Sequence, residues 1–460
     1  MIETFNYPLF TIRSLFNDFR WTESERLKYI TTSSSEVKNN SLFVPLRGNR
    51  DGHEFIPDAL KKGAISFLCE KDHPILKDLN FDEIQKAIIV DNTLYALGKL
   101  ATFHRNRFQP FIIGITGSSG KTTTKELMGL VSESIGKSNV VITEKNYNNE
   151  IGVPFTLFRI NEKTKIVVCE MGMNHLKEIS RLTAMVKPSI GMITNVGPCH
   201  IENLGSLENI ARAKAELIEG MPPKSILYVP ESILHRNIFQ EKAKEYKVIL
   251  KSFSLNKNPN LEILERKTDG FLLNLFGTSV HWKIPGDKIL ENLSGVLAIA
   301  KEIHFSSEQI KKQLSLFKAK DKRFVVEKGY FHLINDTYNA NPDSMESSLS
   351  SLKQISEGKN YFAILGDMKE LGKFSKKYHE QVGLFCRKLG LSGLITYGAD
   401  AKWIQKEFSS NKNNISNSHF DYESIDALVE YAKKNIPKGS YVLVKGSRSM
   451  KMERIVEGLK

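Results

Sequence analysis

Residues 111–126, FIIGITGSSGKTTTKE, carry an apolar run into a glycine-rich turn, and a helical pattern opens at Lys121-Thr122. That order suits a phosphate-binding loop. Backbone N–H groups around Gly117, Ser118, Ser119 and Gly120 can wrap phosphate oxygens, and the positive end of the following helix favours negative charge. Lys121 is placed to reach the β- and γ-phosphates, the Thr122 hydroxyl to hold Mg²⁺, and Thr123 to continue the loop into the helix. The strict spacing G-x-x-x-x-G-K-[ST] wants glycine at 115, where this chain has Ile115; its glycines fall at 114, 117 and 120. The loop is therefore a variant, and the competing reading is a tight strand–helix turn. Strand before, helix after and three glycines together favour the nucleotide.

Such a loop needs an acid near the metal. The apolar run KIVVC ends in Glu170, and a charge closing a buried strand is costly without a partner, for which a cation serves best. The plain alternative is a salt-bridged strand cap. Downstream, His200 follows a strand and a Gly-Pro turn, and Lys214 lies in ARAKAEL with Glu216 nearby. Taken alone, these two read as a structural histidine and a surface lysine.

The rest of the chain must position these groups. Its 460 residues allow two to four domains, and 41% hydrophobic with 25% charged residues is ordinary for a globular protein with real cores. Residues 1–108 read as a small α/β unit, with strands in SLFVPL, AISFLCE and AIIVDN and a helix in HEFIPDALKKGA ending on Gly63. Residues 109–318 alternate strands (FIIGIT, KIVVCEMG, SIGMITNVG, KSILYVP) with helices, the pattern of a parallel sheet covered on both faces, and LEILERKTDGFLLNLFGTSVHWKI adds an antiparallel patch. Residues 319–460 restart the pattern with FHLIND, YFAILGD, SGLITYG and YVLVKGS, a second doubly wound unit without a GxGxxG of its own. SSNKNNISNS (409–418) reads as a polar surface loop. The expected fold is thus α/β in three domains: a small N-terminal one, a central P-loop ATPase-like parallel sheet, and a Rossmann-like C-terminal one.

Composition also excludes classes. No apolar run approaches the ~18 residues of a membrane span. The start of the chain lacks the features of a signal peptide, and the four dispersed cysteines form no CxxC, so a reducing cytoplasmic setting is expected and neither a disulfide framework nor a zinc site is. The net charge of +13 is spread as lysines along helix-like segments, which points to a solvated basic surface and no nucleic acid; a polyanionic small substrate fits equally well.

The motifs TGSSGKTTTKE, EKNYNNEIGVP, ITNVGPCHIENLGSLENIARAKAEL, INDTYNANPDSM, ILGDMKELG and VLVKGSRSM, in this order over nearly the whole chain, resemble the Mur ligase family. YNANPDSM with GDMKELG resembles the members that join D-alanyl-D-alanine to UDP-N-acetylmuramoyl-tripeptide. The resemblance implies an ATP-dependent amide ligase acting through an acyl phosphate, with ATP and two Mg²⁺ sites, those two substrates as partners, and a monomer as the working unit. It implies Thr122 and Glu170 on one Mg²⁺, and His200 with Lys214 as an N-carbamate on the other. Asn292 would contact adenine, Arg323 the phosphates and Asp336 the ribose region. Asn148 and Asn149 lie in the asparagine-rich substrate segment, Asn339 and Asn341 near the incoming dipeptide, and Ser34 near the UDP end. A hinge is expected at 316–322. The chain departs from the family pattern at Ser33-Ser34-Ser35 (usually Asp-Ser-Arg), Lys288 (usually His), Lys322 (usually Gly) and Asn335 (usually Asp).

Two rivals stand beside this reading. A folylpolyglutamate-synthetase-type ligase would share the central and C-terminal parts but lack the RGNRDGHEFIPDALKKGA region. A regulatory P-loop NTPase would carry an NKxD guanine motif and an apolar run ending in Asp, whereas this chain has no NKxD and places its acid in VVCE.

Overall fold

The computed structural model describes residues 1–20, 25–318, 322–409, 416–422 and 424–460. The chain builds three α/β layers in sequence order. The first is a five-stranded sheet, β1 (Ile2–Pro8), β2 (Arg26–Thr31), β3 (Ser41–Phe43), β4 (Ala64–Glu70) and β5 (Ala87–Val90), paired in that order. Only the β1–β2 pair is antiparallel.

The central sheet is wholly parallel: β6 (Phe111–Thr116), β7 (Val140–Ile142), β8 (Ile166–Glu170), β9 (Ile190–Ile193), β10 (Ile226–Pro230) and β11 (Ile249–Phe253), in the order β11-β10-β9-β6-β8-β7. Strands β6, β8 and β9 are buried nearly throughout and apolar up to Thr116 and Glu170 at the ends of β6 and β8, because helices cover both faces, which is why they read as runs and do not alternate. The order reverses at β6, so the carboxyl ends of β6, β8 and β9 open one crevice where ligands bind in such sheets. The antiparallel patch is present as β12 (Leu261–Lys267), β13 (Gly270–Leu275) and β14 (Thr278–Trp282), and its buried side chains share one apolar cluster with Ile113, Ile115 and the helix Asp287–Glu302.

The C-terminal sheet has the order β15-β16-β20-β17-β18-β19, built from β15 (Val325–Lys328), β16 (His332–Asn335), β17 (Tyr361–Gly366), β18 (Gly393–Tyr397), β19 (Ser416–Phe420) and β20 (Tyr441–Lys445). All pairs except β15–β16 are parallel. The loop expected over 409–418 is corrected at its end: 416–418 belong to β19, whose backbone pairs with β18 whatever its polar composition. Residues 410–415 of that stretch lie outside the described residues, as do 319–321 of the hinge expected at 316–322.

The first two layers are joined by the helix Thr93–Asn106, which Asn92 caps by accepting from Tyr95 N–H. His104 fixes the joint: Nε2 donates to the Ile160 carbonyl at 2.8 Å, and Nδ1 therefore accepts from the Tyr7 hydroxyl at 2.7 Å. Burial holds this imidazole below its ordinary pKa, so it stays neutral in that role.

At the carboxyl end of β4, Asp51 ties His53 and His73 together, with the rings stacked 4.2 Å apart. Burial opposes ionisation of Asp51, but hydrogen bonds from the His53 backbone and ring and from His73 outweigh it and hold the carboxyl down to about 2. A folded pKa below the ordinary value of 3.8 means the contribution is complete above that value and is lost as pH falls through about 2. Denaturant melts between pH 5 and pH 2 are therefore expected to show the unsubstituted chain losing stability more steeply than Asp51→Asn; parallel curves would refute the role.

Candidate active site

The glycines of the loop after β6 are required by contact and by backbone angle. Gly117 has φ +153°, and a Cβ there would lie 1.8 Å from Thr194 Oγ1; Gly120 has φ +76°, and its Cβ would lie 2.3 Å from Asn292 Nδ2. Asn292, 9% exposed on the helix Asp287–Glu302, thus rests against the loop itself. The loop is held from β9. Asn195 Oδ1 accepts from Ser118 N–H (3.1 Å) and Ser119 N–H (2.9 Å), its Nδ2 donates to Ser119 Oγ (2.9 Å), and Thr194 Oγ1 donates to Ser119 O (2.6 Å).

The N–H groups of Ser118 and Ser119 are engaged by Asn195, whereas the first N–H groups of the helix Lys121–Ser132 have no partner within a helix and are the ones open to an anion. Thr123 lies in that first turn. Lys121 Nζ donates to Gly117 O at 2.8 Å and closes the loop on itself.

Glu170 ends β8 as expected, 1% exposed. Its Oε1 accepts from Thr122 Oγ1 (3.2 Å) and Asn148 Nδ2 (2.8 Å), while its Oε2 is buried with no hydrogen-bond partner among the described residues. A buried half-satisfied carboxylate beside a threonine hydroxyl at a helix N-terminus fits a hard divalent cation, which takes oxygen ligands. Asn148 orients that carboxylate. Asn149 does different work: its Oδ1 accepts from Gly152 N–H (2.8 Å) and Ile151 N–H (3.2 Å) at the start of the helix Gly152–Phe158.

His200 and Lys214 prove less ordinary than their local sequence. His200 sits at φ +53° just after β9, with its side chain 22% exposed and Nδ1 2.5 Å from Glu370 Oε2. Lys214 is 1% exposed in the helix Leu207–Ala215. Burial pushes its ammonium down to about 8, with Cys199 opposing the shift and Lys121 adding to it. Glu216 does not pair with it; its two oxygens accept from Lys177 and Ser180 N–H at the start of the helix Glu178–Val186.

The C-terminal domain closes over this floor. A cavity of about 410 Å³ is lined by Ser118, Lys121, Cys199 and His200 from below and by Asn339, Asn341, Lys369, Glu370 and Arg448 from above. Asn341 Nδ2 donates to Ser118 O (3.3 Å), while its Oδ1 caps the helix Pro342–Ser356. Asn339 Oδ1 accepts from Arg448 N–H. Arg323 places its guanidinium 3.7 Å from the Tyr338 ring centroid and 3.4 Å from Thr122 Oγ1. Asp336 is engaged inward: Oδ1 accepts from Phe324 N–H (3.1 Å), and Oδ2 accepts from Ser348 (2.5 Å) and Lys445 (2.6 Å). It therefore braces the segment bearing Arg323. Asp343 Oδ2 accepts from Asn195 Nδ2 at 3.1 Å, and a Cβ at Gly197 would strike the same oxygen at 1.8 Å.

Two sites lie elsewhere. Ser34 hydrogen-bonds Asp58 in the N-terminal domain and does not line the cavity. Asp51, His53 and His73 bring three metal-capable groups together, but their protons argue against a metal. His53 Nε2 accepts from Glu70 N–H and His73 Nδ1 accepts from Ile75 N–H, so the nitrogens facing Asp51 carry hydrogens and donate to it.

Sequence reasoning missed Asn195, Tyr338, Lys369, Glu370 and Arg448, although all lie within or beside motifs already singled out. Asn195 was detectable as a polar residue just past an apolar strand beside the loop strand. Removing its side chain deletes several loop bonds worth about 1 kcal/mol each. Asn195→Ala is expected to lower kcat/KM for the nucleotide at least about tenfold, measured by steady-state kinetics; an unchanged value would remove it from the site.

Three family models match the chain. Family models described as Mur ligase family catalytic domain, Mur ligase middle domain and Mur ligase glutamate ligase domain match residues 26–105, 115–300 and 322–448. The UDP-N-acetylmuramoyl-tripeptide–D-alanyl-D-alanine ligase of Synechocystis is 33% identical over 100% of this chain and 97% of its own. The crystal structure of MurF from Acinetobacter baumannii superposes with a TM-score of 0.86 at 26% identity, covering 99% of each chain. That of MurF ligase from Thermotoga maritima in complex with ADP gives 0.80 at 26% identity, covering 94% of this chain and 96% of that one.

Proposed function

The chain belongs to the Mur ligase family, and we propose that it is an ATP-dependent ligase joining D-alanyl-D-alanine to UDP-N-acetylmuramoyl-tripeptide in peptidoglycan precursor synthesis. The observation that carries this at the site is the set formed by Lys121, Thr122 and the half-satisfied buried Glu170 under a basic C-terminal roof. Regions 1–108, 109–318 and 319–460 serve in turn to hold the UDP-sugar, hold ATP and bring the dipeptide. Ser34 would lie toward the UDP end, and Asn292 toward adenine. No described helix is long and apolar enough to cross a membrane, and the proposed place of work is the cytoplasm. The proposed working unit is a monomer.

An amide does not form from carboxylate and amine unaided, because oxide is a poor leaving group. The tripeptide carboxylate instead attacks the γ-phosphorus of ATP, releasing ADP and giving an acyl phosphate. The dipeptide amine then attacks the acyl carbon, and phosphate leaves. In the first step two anions must meet. Lys121 from below and Arg323 from above flank the phosphates and neutralise the charge on the transferring group. Arg323 is aimed by its stack on Tyr338 and by the brace from Asp336 to Phe324 N–H. Asn339 and Asn341 lie on the roof where the amine would enter. Closure of that roof keeps water from the acyl phosphate.

Thr122 and Glu170 would hold one Mg²⁺, and His200 with a carbamylated Lys214 a second. Bound there, the ions would screen the approaching anions and polarise phosphoryl oxygens. A buried lysine with its pKa near 8 has an appreciable neutral fraction, and the neutral amine adds CO₂ with loss of one proton. Carbon-13 NMR with labelled bicarbonate is expected to show a protein-bound carbamate that Lys214→Ala lacks; its absence from the unsubstituted chain would refute the modification.

The activity is tested by phosphate release from ATP with each substrate omitted in turn. Release is expected only with both UDP-N-acetylmuramoyl-tripeptide and D-alanyl-D-alanine. Release requiring neither would favour a regulatory NTPase, and release with folate and glutamate a folylpolyglutamate-type ligase. Lys121→Ala is expected to lower the rate by about 10²-fold or more, the scale of losing one oriented charge stabiliser. A near-normal rate would remove Lys121 from the mechanism.

A further inference from the structure

We infer that Glu370 is a positioning residue for His200, so that the second cation seat is completed only when the C-terminal domain is docked. The inference rests on the two-cation reading above. Glu370 lies in the loop after β17, on the C-terminal domain, whereas His200 lies after β9 on the central one. Their side chains meet at 2.5 Å, Oε2 to Nδ1. The contact is close, and Nδ1 has no other hydrogen-bond partner among the described residues.

The backbones meet as well, which separates this pair from a chance surface contact. Glu202 N–H donates to Glu370 O at 3.1 Å, joining the short helix Ile201–Leu204 to the Glu370 loop. Both partners adopt left-handed angles, His200 at φ +53° and Glu370 at φ +65°, a conformation non-glycine residues seldom take. Gly372 approaches so near that a Cβ there would lie 2.9 Å from Glu202 Cγ. Strained backbone on both sides of one contact is retained where the surroundings over-determine it.

The chemistry follows from the imidazole. When Nδ1–H faces a carboxylate, Nε2 keeps its lone pair, and the ring is held in one orientation as a ligand. Here the orienting carboxylate comes from a different domain. Undocking would leave the Thr122–Glu170 seat whole, since both residues belong to the central domain, and would leave His200 unoriented.

The test uses the full chain, a non-hydrolysable ATP analogue and Mn²⁺ as probe, with bound metal counted by electron paramagnetic resonance. Glu370 is half exposed, with 53% of its side chain accessible, so substitution there spares the core. The unsubstituted chain is expected to bind two Mn²⁺. Glu370→Ala should keep the first at unchanged affinity and weaken the second about 10- to 100-fold, the range for loss of a group that orients a metal-bound histidine. Glu370→Gln should recover part of that loss, because its amide oxygen still accepts from Nδ1–H. A second Mn²⁺ held by Glu370→Ala as tightly as before, or more tightly, would overturn the inference and make Glu370 a bystander or a competitor. Fewer than two Mn²⁺ on the unsubstituted chain would instead overturn the two-cation reading, and the inference with it.

Discussion

A carboxylate 1% exposed with one oxygen unpartnered among the described residues is the constraint around which the central domain is arranged. Burying an ion costs on the order of several kcal/mol unless it is paired. Glu170 receives only partial relief from Thr122 and Asn148, and a cation is the partner proposed to supply the rest. Its place is dictated by strand order. Because β8 lies beside β6, the residue ending β8 faces the helix that begins at Lys121. The apolar length of β8 keeps water away and so preserves the field of the one charge at its tip.

The remaining groups are brought in from three directions. Asn195 fixes the loop from β9, Lys214 rises from a helix beneath, and Arg323, Asn341 and Glu370 descend from the C-terminal domain. The C-terminal domain reaches the site through polar contacts, alongside apolar residues that belong to one cluster running through all three domains. The joint between the first two domains is different. Phe5, Tyr7, His104 and Phe158 pack there as one aromatic group.

Much of this was legible in the chain before it was folded. Strands with apolar faces on both sides, such as β6 and β8, announce themselves as runs. Those that did not, β1, β7, β11, β15 and β19, are edge strands, short or exposed on one side, and β2 alternates beside them. Glu170 could be read because a charge ending an apolar run is anomalous in any protein. Lys214 and His200 could not be read from local spacing, since their burial arises from neighbours hundreds of atoms away; only resemblance singled them out. The nucleotide role implied for Asp336 competes with Ser348, twelve residues on, and with Lys445, brought by a sheet partner more than a hundred residues later. Asn149 illustrates the opposite failure: a local turn of three residues absorbs a side chain that its asparagine-rich setting had suggested for substrate.

The strand order of the C-terminal sheet carries a consequence for how the protein is made. β20 is the last strand to be synthesised, yet it lies in the middle, between β16 and β17. Until residue 441 has left the ribosome, this sheet is two separate halves, each presenting an unpaired edge. The same strand delivers Lys445 to Asp336, and Ser447 just beyond it donates to Ala340 O and accepts from Lys369 N–H. A chain stalled before that point carries a finished phosphate loop with nothing to cover it. Ordering the strands in this way withholds the roof of the site until translation is nearly over, so that a partial product has no means of spending ATP on ligation.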